Sequence, residues 1–380
     1  MEFNNILNWD QLELKDNLLR GIYGQGFENP SPIQKKSIGP ILTSKDIIAQ
    51  AQSGTGKTGA FTISTIQRID ETVNEIQGLI LAPTRELAIQ IHSVASKIGT
   101  FVENLTCSLL IGGRSISQDI DEIEKGPQII IGTPGRVHDL IRRKKLDTKS
   151  IKMIVLDEAD EMLSTGFKEQ IYNIFQYIGN NVQIALFSAT LPIEIQDITD
   201  KFMTDPIKIL VKTESVTLEG IQQYYVAIEN DVQKYETLKD LFQVISVSQC
   251  IIYCNSIKRV NDLCEALRKD NFPVCCIHGD MEKRDRMTVY DDFIKGSTRV
   301  LISTNLTARG IDVQQVSTVI NFDIPKDIHT YIHRIGRSGR WGRKGMGINF
   351  ITRRDIEKIK EIETYYETQI DELPSSIVQS

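Results

Sequence analysis

Residues 151–163 read IKMIVLDEADEML. From Ile154 to Leu156 the run is purely apolar, and Asp157, Glu158, Asp160 and Glu161 follow directly behind it. An apolar run closed by an abrupt change to charge is the pattern of a central parallel strand covered by helices on both faces. Open parallel sheets hold their ligands beyond the carboxyl ends of the strands. Four carboxylates at such an end point to a ligand site, against the plainer reading of a solvated acidic turn. The rest of the chain chooses between the two.

At 380 residues the chain exceeds what one hydrophobic core ordinarily supports, which predicts two domains. Hydrophobic residues make up 41% and charged residues 25%, a composition that excludes a disordered chain. No apolar run is long enough to span a bilayer. The opening MEFNNILNWDQ has neither the basic start nor the apolar stretch of a secretory signal, so the expected location is intracellular, with the cytoplasm favoured. Cys107, Cys250, Cys254, Cys264, Cys275 and Cys276 form no CxxC pair; they read as small buried hydrophobes of a reducing compartment and not as zinc ligands. The net charge of -6 argues against indiscriminate binding to polyanions but leaves room for a local basic track.

Between residues 45 and 211, short β-branched runs alternate with longer amphipathic stretches: DIIAQ, GLILAP, SLLIG, QIIIGTP, MIVLDEAD, QIALFSAT and IKILV. That alternation predicts an α/β domain built on a parallel sheet flanked by helices. It pauses over KTESVTLEG, residues 212–220, and resumes with QYYVAI, CIIYCNS, VCCIHGD, RVLIST, TVINFD and GINFIT. The expected organisation is a first domain over 1–212, a linker over 213–220 and a second domain over 221–380. In both halves the unusual polar residues come immediately after the strand-like runs, which predicts one shared ligand face.

Ala51–Thr58, AQSGTGKT, lies between a short strand and an amphipathic helix. Gly54 and Gly56 permit tight turns whose N–H groups surround phosphate oxygens at a helix amino terminus that favours anions. In such a P-loop Lys57 reaches the β- and γ-phosphates and Thr58 binds Mg²⁺. Asp157, at the end of a neighbouring apolar strand, is the expected second Mg²⁺ ligand. Glu158 is placed to orient or deprotonate the attacking water. Asp160 is read as coupling this site to the other motifs, and Glu161 as solvated.

With DEAD at 157–160, SAT at 188–190 and HRIGRSGR at 333–340, the chain resembles the DEAD-box RNA helicases of superfamily 2 over nearly its whole length. It is most similar to the translation initiation factor 4A group, through LLRGIY at 18–23, GFENPSPIQ at 26–34 and YIHRIGRSGRWGRKG followed by TYYETQIDELP. The resemblance implies two tandem RecA-like domains, ATP and Mg²⁺ as the bound groups, and RNA as the partner. It also implies a monomer open to a protein scaffold that stimulates turnover. Within the P-loop it extends nucleotide contact to Ala51, Gln52, Ser53 and Thr55. It assigns adenine to Phe27, which can stack on the base, and to Gln34, whose carboxamide can make the two-point bond by which Gln reads adenine elsewhere. Asp312 would bind the ribose, with Gly310 a further nucleotide contact, and Arg337 and Arg340 would act as arginine fingers on the transferring phosphoryl group. Arg343 and Lys344 read as a basic surface loop. Ser188, Thr190 and His333 join Asp160 as coupling residues.

The same resemblance maps an RNA track to Thr84, Arg85, Gly113, Thr133, Gly135 and Arg136 in the first half. In the second half it maps to Asn255, Arg286, Thr304 and Arg309. Side chains of this kind suit phosphates and sugars, and give affinity without sequence preference; preference for RNA would come from 2′-hydroxyls and A-form shape. Three positions depart from the family pattern. Trp9 replaces the usual upstream Phe and keeps an apolar plate. Lys283 replaces a Gln and adds a charge. Asn305 replaces an Asp and is expected to fix its turn by bonding nearby backbone N–H groups. The expected activity is an ATP-driven RNA helicase; an ATP-gated RNA clamp would use the same motifs, and a DNA translocase is disfavoured by the resemblance.

Overall fold

The strands read from the sequence form, and every pairing between them is parallel. The first seven are β1 (Ile47–Gln50), β2 (Gly78–Leu81), β3 (Cys107–Leu110), β4 (Ile129–Gly132), β5 (Met153–Asp157), β6 (Gln183–Ser188) and β7 (Ile207–Leu210). They make one sheet in the order β3-β4-β2-β5-β6-β1-β7. A second sheet holds β8 (Ile221–Ala227), β9 (Gln249–Tyr253), β10 (Val274–Ile277), β11 (Val300–Ser303), β12 (Val316–Asn321), β13 (Gly345–Ile351) and β14 (Asp371–Glu372). Its order is β10-β11-β9-β12-β13-β8-β14. The chain divides into two compact units, Met1–Val211 and Lys212–Ser380. This computed structural model describes residues 6–51, 54–164, 166–179, 181–191, 193–210, 221–244, 248–305, 316–338 and 345–374. The expected linker, 213–220, lies outside the described residues.

The period of two along each strand explains why unbroken apolar runs are needed. In β5, Met153 and Val155 enter one core with Ile80, Ile129, Ile131, Ala185 and Phe187. Ile154 and Leu156 enter the other with Leu79, Leu81, Ile130, Ile184 and Leu186. Helices cover both faces, so neither set of side chains can be polar. The second unit repeats the scheme: Ile251, Leu301 and Val319 face one core, and Cys250, Ile252, Ile302 and Ile320 the other. At the sheet edge the pattern relaxes, and Ile207 and Leu210 of β7 are exposed.

One strand has no sequence signal. β14 is only two exposed residues long, and it pairs with β8 through Asp371 opposite Tyr224 and Glu372 opposite Tyr225. Two charged residues carry no periodicity. Their pairing is set by the edge that β8 leaves open, where Leu373 N donates to Tyr225 O at 2.9 Å.

Candidate active site and nucleic-acid track

Strand order divides the ligand edge of the first unit in two. The P-loop follows β1, DEAD closes β5 and SAT closes β6, and these three strands are neighbours in the sheet. The residues after β2, β3 and β4 carry the expected RNA contacts, and those strands form the adjoining block. Two groups far apart in sequence are thus sorted onto two halves of one edge by topology alone.

In the P-loop, Gly54 and Gly56 have φ of 84° and 98°, conformations that L side chains avoid. A Cβ on Gly56 would also stand 2.8 Å from Ser31 Oγ and 2.9 Å from Gln34 Nε2. Helix Lys57–Arg68 starts immediately afterwards, with Thr58 half-buried in its first turn beyond a half-buried Thr55. Ala51 is buried, and its N–H donates to Ser188 O at 3.0 Å, seating the loop beside SAT. Gln52 and Ser53 lie outside the described residues.

Lys57 is buried, and its Nζ lies 3.6 Å from Glu158 Oε1 with no hydrogen-bond partner among the described residues. Asp157 is buried beside it. Burial pushes the Asp157 carboxyl up to about 7, against the pull of Lys57 and with a further push from Glu158. Glu158 sits at φ 52°, a left-handed conformation uncommon for Glu, and its N–H donates to Asp157 Oδ1 at 3.0 Å. Asp160 N donates to Ser188 Oγ at 3.2 Å, while Asp160 Oδ2 accepts from Thr190 N at 3.2 Å and Thr190 Oγ1 at 2.7 Å. DEAD and SAT are therefore bonded directly. Glu161 is half-buried, with its N–H on Asp160 Oδ1 at 3.0 Å, so the reading of a simply solvated residue is corrected. The donor set fits a hydrated divalent cation and phosphates: carboxylates crowd a dry strand end, and the ammonium has bonding capacity to spare.

Gln34 bridges two segments, accepting from Ser31 N at 2.7 Å and donating to Gly56 O at 3.1 Å. Gly59 leaves the space for this: a Cβ there would meet Gln34 Nε2 at 2.6 Å and Phe27 Cε1 at 3.8 Å. Phe27 is half-buried against the first core. Trp9 is fully buried, and its Nε1–H donates to Phe27 O at 2.9 Å. Trp9 thus holds the backbone of the adenine motif, and the expectation of an apolar plate is extended by a hydrogen bond that Phe could not make.

Along the other half of the edge, Thr84 Oγ1 caps helix Arg85–Ile98 by accepting from Leu87 N at 3.2 Å. Gly113 has φ 94°, and a Cβ on the preceding Gly112 would stand 3.2 Å from Arg85 Nη2. Thr133 caps helix Pro134–Arg142, and a Cβ at Gly135 would meet nothing within 4 Å, which leaves its backbone open to a ligand. Arg136 pairs with buried Asp119 and donates through Nη2 to Arg114 O at 2.9 Å. Burial raises the Asp119 pKa, and Arg136 opposes that rise. Asp119 carries no motif signature, and only the fold shows that it steers Arg136.

In the second unit, Arg334 is fully buried in helix Ile328–Ile335. Its guanidinium donates to Asn305 Oδ1 at 2.9 and 2.5 Å, Asn255 Oδ1 at 2.8 Å, Asn321 Oδ1 at 3.1 Å and Asp323 O at 2.7 Å. The Tyr253 ring lies 5.1 Å from its carbon. Asn305 gives its oxygen to the buried Arg334 cation, and the turn it was expected to fix lies outside the described residues. Asn255 also donates to Ile324 O at 2.7 Å, so its amide belongs to this network before any RNA contact. Asp323 gives its carboxylate elsewhere, accepting from Asn255 N at 3.0 Å and pairing with Arg259 Nη2 at 2.8 Å. Arg334 and Asp323 were missed by motif reading, although a charged residue on the buried side of HRIGR was a usable signal.

Arg337 Nε donates to His333 O at 3.1 Å, and both residues are buried. Arg286 and Thr304 are half-buried. Lys283 opens helix Lys283–Ile294. Arg309, Gly310, Asp312, Arg340, Arg343 and Lys344 lie outside the described residues. Among the described residues no helix is long and apolar enough to cross a membrane.

Two helix-flanked parallel sheets, with a P-loop and an acidic strand end on one of them, define a P-loop nucleoside triphosphatase of the tandem RecA-like class. The DEAD/DEAH box helicase model matches residues 31–198, and the helicase conserved C-terminal domain model matches residues 233–342. Eukaryotic initiation factor 4A of Caenorhabditis elegans is 54% identical, over 97% of this chain and 92% of its own. ATP-dependent RNA helicase eIF4A of Kluyveromyces lactis is 54% identical over 98% and 94%. S. cerevisiae Dbp5 bound to RNA and ADP BeF3 superimposes with a TM-score of 0.89 at 35% identity, covering 97% of this chain and 96% of that one. The chain belongs to the DEAD-box RNA helicases, in the initiation factor 4A group. Its reaction is ATP hydrolysis coupled to RNA unwinding.

Proposed function

We propose that this helicase serves translation initiation in the cytoplasm as a monomer, and that a protein scaffold raises its turnover. Support for that role comes from the initiation factor names of relatives that match nearly end to end. Residues 1–212 would bind ATP and residues 221–380 would complete the RNA contacts. The observation that carries the chemistry is the buried Lys57 ammonium, 3.6 Å from Glu158 and without a hydrogen bond of its own among the described residues. Lys57 would stabilise charge on the β- and γ-phosphates, and Glu158 would orient and deprotonate the attacking water. Mg²⁺ bound by Thr58 and Asp157 would neutralise phosphate charge. Phe27 and Gln34 would select adenine, and Arg337 with Arg340 would stabilise charge developing on the transferred phosphoryl group.

Asp160, through Ser188 and Thr190, would tie the acidic strand end to SAT, with His333 a further coupling residue. Arg85, Arg136 and the open backbone at Gly135 would hold phosphates without reading bases. ATPase rates measured with single-stranded RNA, with single-stranded DNA and with neither test this reading, alongside duplex release per ATP at one fixed salt concentration. RNA-specific stimulation with duplex release is the expected result. Stimulation by DNA alone would overturn it, and long RNA retention without duplex release would make the protein an ATP-gated clamp.

A further inference from the structure

The second unit carries an open cavity of about 460 Å³ between helix Ile257–Lys269 and the edge strand β10. Its lining is Asn261, Cys264, Glu265, Arg268, Lys269 and Cys276. The helical residues recur at spacings of three and four, so they form one stripe facing the strand. Arg268 Nε donates to Val274 O at 3.2 Å, which pins the guanidinium to the strand beside Cys276. Glu265 and Lys269 pair with each other at 2.8 Å on the exposed rim.

Cys264 and Cys276 both line this cavity, Cys264 from the helix and Cys276 from the strand, with Cys264 buried and Cys276 half-buried. Their environments differ from those of the other cysteines. Burial pushes the thiols of Cys107, Cys254 and Cys275 up to about 12 and raises that of Cys250 as well. Cys276 moves the other way, downward, while Cys264 moves up: the neighbouring Cys264 thiol and the Arg268 guanidinium favour a thiolate on Cys276 over the opposing effect of burial. The reading of all six cysteines as buried hydrophobes is corrected at Cys107 and Cys276, which are half-buried.

We propose that Cys276 is a modification site for small hydroperoxides, with Cys264 as its resolving thiol. The thiolate sulfur of Cys276 attacks a peroxide oxygen; the S–O bond forms, the O–O bond breaks, and the leaving oxygen takes a proton. That step leaves a sulfenic acid on Cys276. The Cys264 sulfur then attacks Cys276, forming the S–S bond as the S–O bond breaks, and the departing hydroxide takes the Cys264 proton as water. Two thiols are oxidised by two electrons in all, and the hydroperoxide is reduced to an alcohol, or to water from hydrogen peroxide, together with the second water. The cavity admits the oxidant, and the adjacent thiol protects Cys276 from further oxidation.

The test is differential alkylation of the full chain with iodoacetamide, followed by peptide mass spectrometry, before and after brief exposure to hydrogen peroxide. Cys276 is expected to alkylate about 3-fold faster than an ordinary exposed thiol near neutral pH. After peroxide, a non-reducing digest should yield a Cys264–Cys276 cross-link that dithiothreitol releases. In Cys264→Ser, which keeps a donor beside Cys276 but no resolving thiol, the cross-link should vanish and a dimedone adduct should appear on Cys276; in Cys276→Ser neither should form. RNA-stimulated ATPase of reduced Cys276→Ser should match that of the parent. Slow alkylation of Cys276, or peroxide that produces no Cys264–Cys276 cross-link in the parent, would overturn the proposal. The readout is covalent and does not depend on the helicase reading.

Discussion

The strand end at Asp157–Glu158 and the guanidinium of Arg334 are opposite solutions to burying charge. At the first, carboxylates crowd together beside a lysine that has no hydrogen bond among the described residues, and burial lifts the Asp157 pKa. At the second, one cation is wrapped by oxygens of Asn255, Asn305, Asn321 and Asp323, none of them a carboxylate oxygen. Burial lowers the Arg334 pKa to about 10, yet the hydrogen bonding is complete. The difference separates a site that receives from one that positions. The first keeps bonding capacity that would serve phosphates and a metal ion under the proposed function, whereas the second spends its capacity on fixing β9, β11 and β12 around one helix.

The largest effects should come from breaking the receiving site. Glu158→Gln keeps the shape and removes the base, so turnover should fall by ~10²-fold or more while ATP-dependent RNA retention persists. Lys57→Ala should lose turnover together with ATP affinity. Steady-state ATPase and RNA filter binding, run on both proteins, distinguish them; normal turnover in Glu158→Gln would remove Glu158 from the mechanism.

The positioning site is next. Asn305→Ala withdraws the oxygen that accepts two guanidinium N–H groups and should cost about 2–4 kcal/mol of stability, with RNA-stimulated ATPase falling in step. Asn305→Asp supplies the missing carboxylate and should hold or raise the melting temperature while changing ATPase only modestly. An Asp variant that melts below the Ala variant would show that this pocket rejects a second charge.

Asp157→Asn sharpens the comparison through pH. A carboxyl raised from 3.8 to about 7 on folding binds its proton more tightly folded than unfolded, so stability is lost as pH rises between those values. Nucleotide-free Asp157→Asn should therefore melt a few degrees above the parent at pH 8, with the gap closing as pH falls toward 4. Differential scanning fluorimetry across that range checks it, and a gap that widens at acid pH would reverse the assignment. The smallest effect belongs to Trp9→Phe, which keeps most of the buried ring and loses one bond to Phe27 O. A rise of about 2–10-fold in the ATP dissociation constant, with kcat unchanged, corresponds to one net hydrogen bond.

The receiving site was legible in the sequence because its parts are local. AQSGTGKT, DEAD and SAT each follow a strand directly, and a glycine turn or a strand end needs nothing distant to define it. The parallel sheets were legible for a similar reason, since burial on both faces demands unbroken apolar runs like MIVL. What the sequence could not decide was which side chains meet across long separations. Arg334 draws on residues 79 and 29 positions away, Asp119 steers Arg136 from another helix, and Trp9 reaches Phe27 past an intervening helix. The adjoining blocks of strands, the two-residue β14 and the placing of Cys264 and Cys276 on one cavity wall depend likewise on strand order and helix docking. Those are properties of the packed chain: a hydrogen bond or a pKa is set by what lies within a few ångströms, and only the tertiary structure fixes which residues those are.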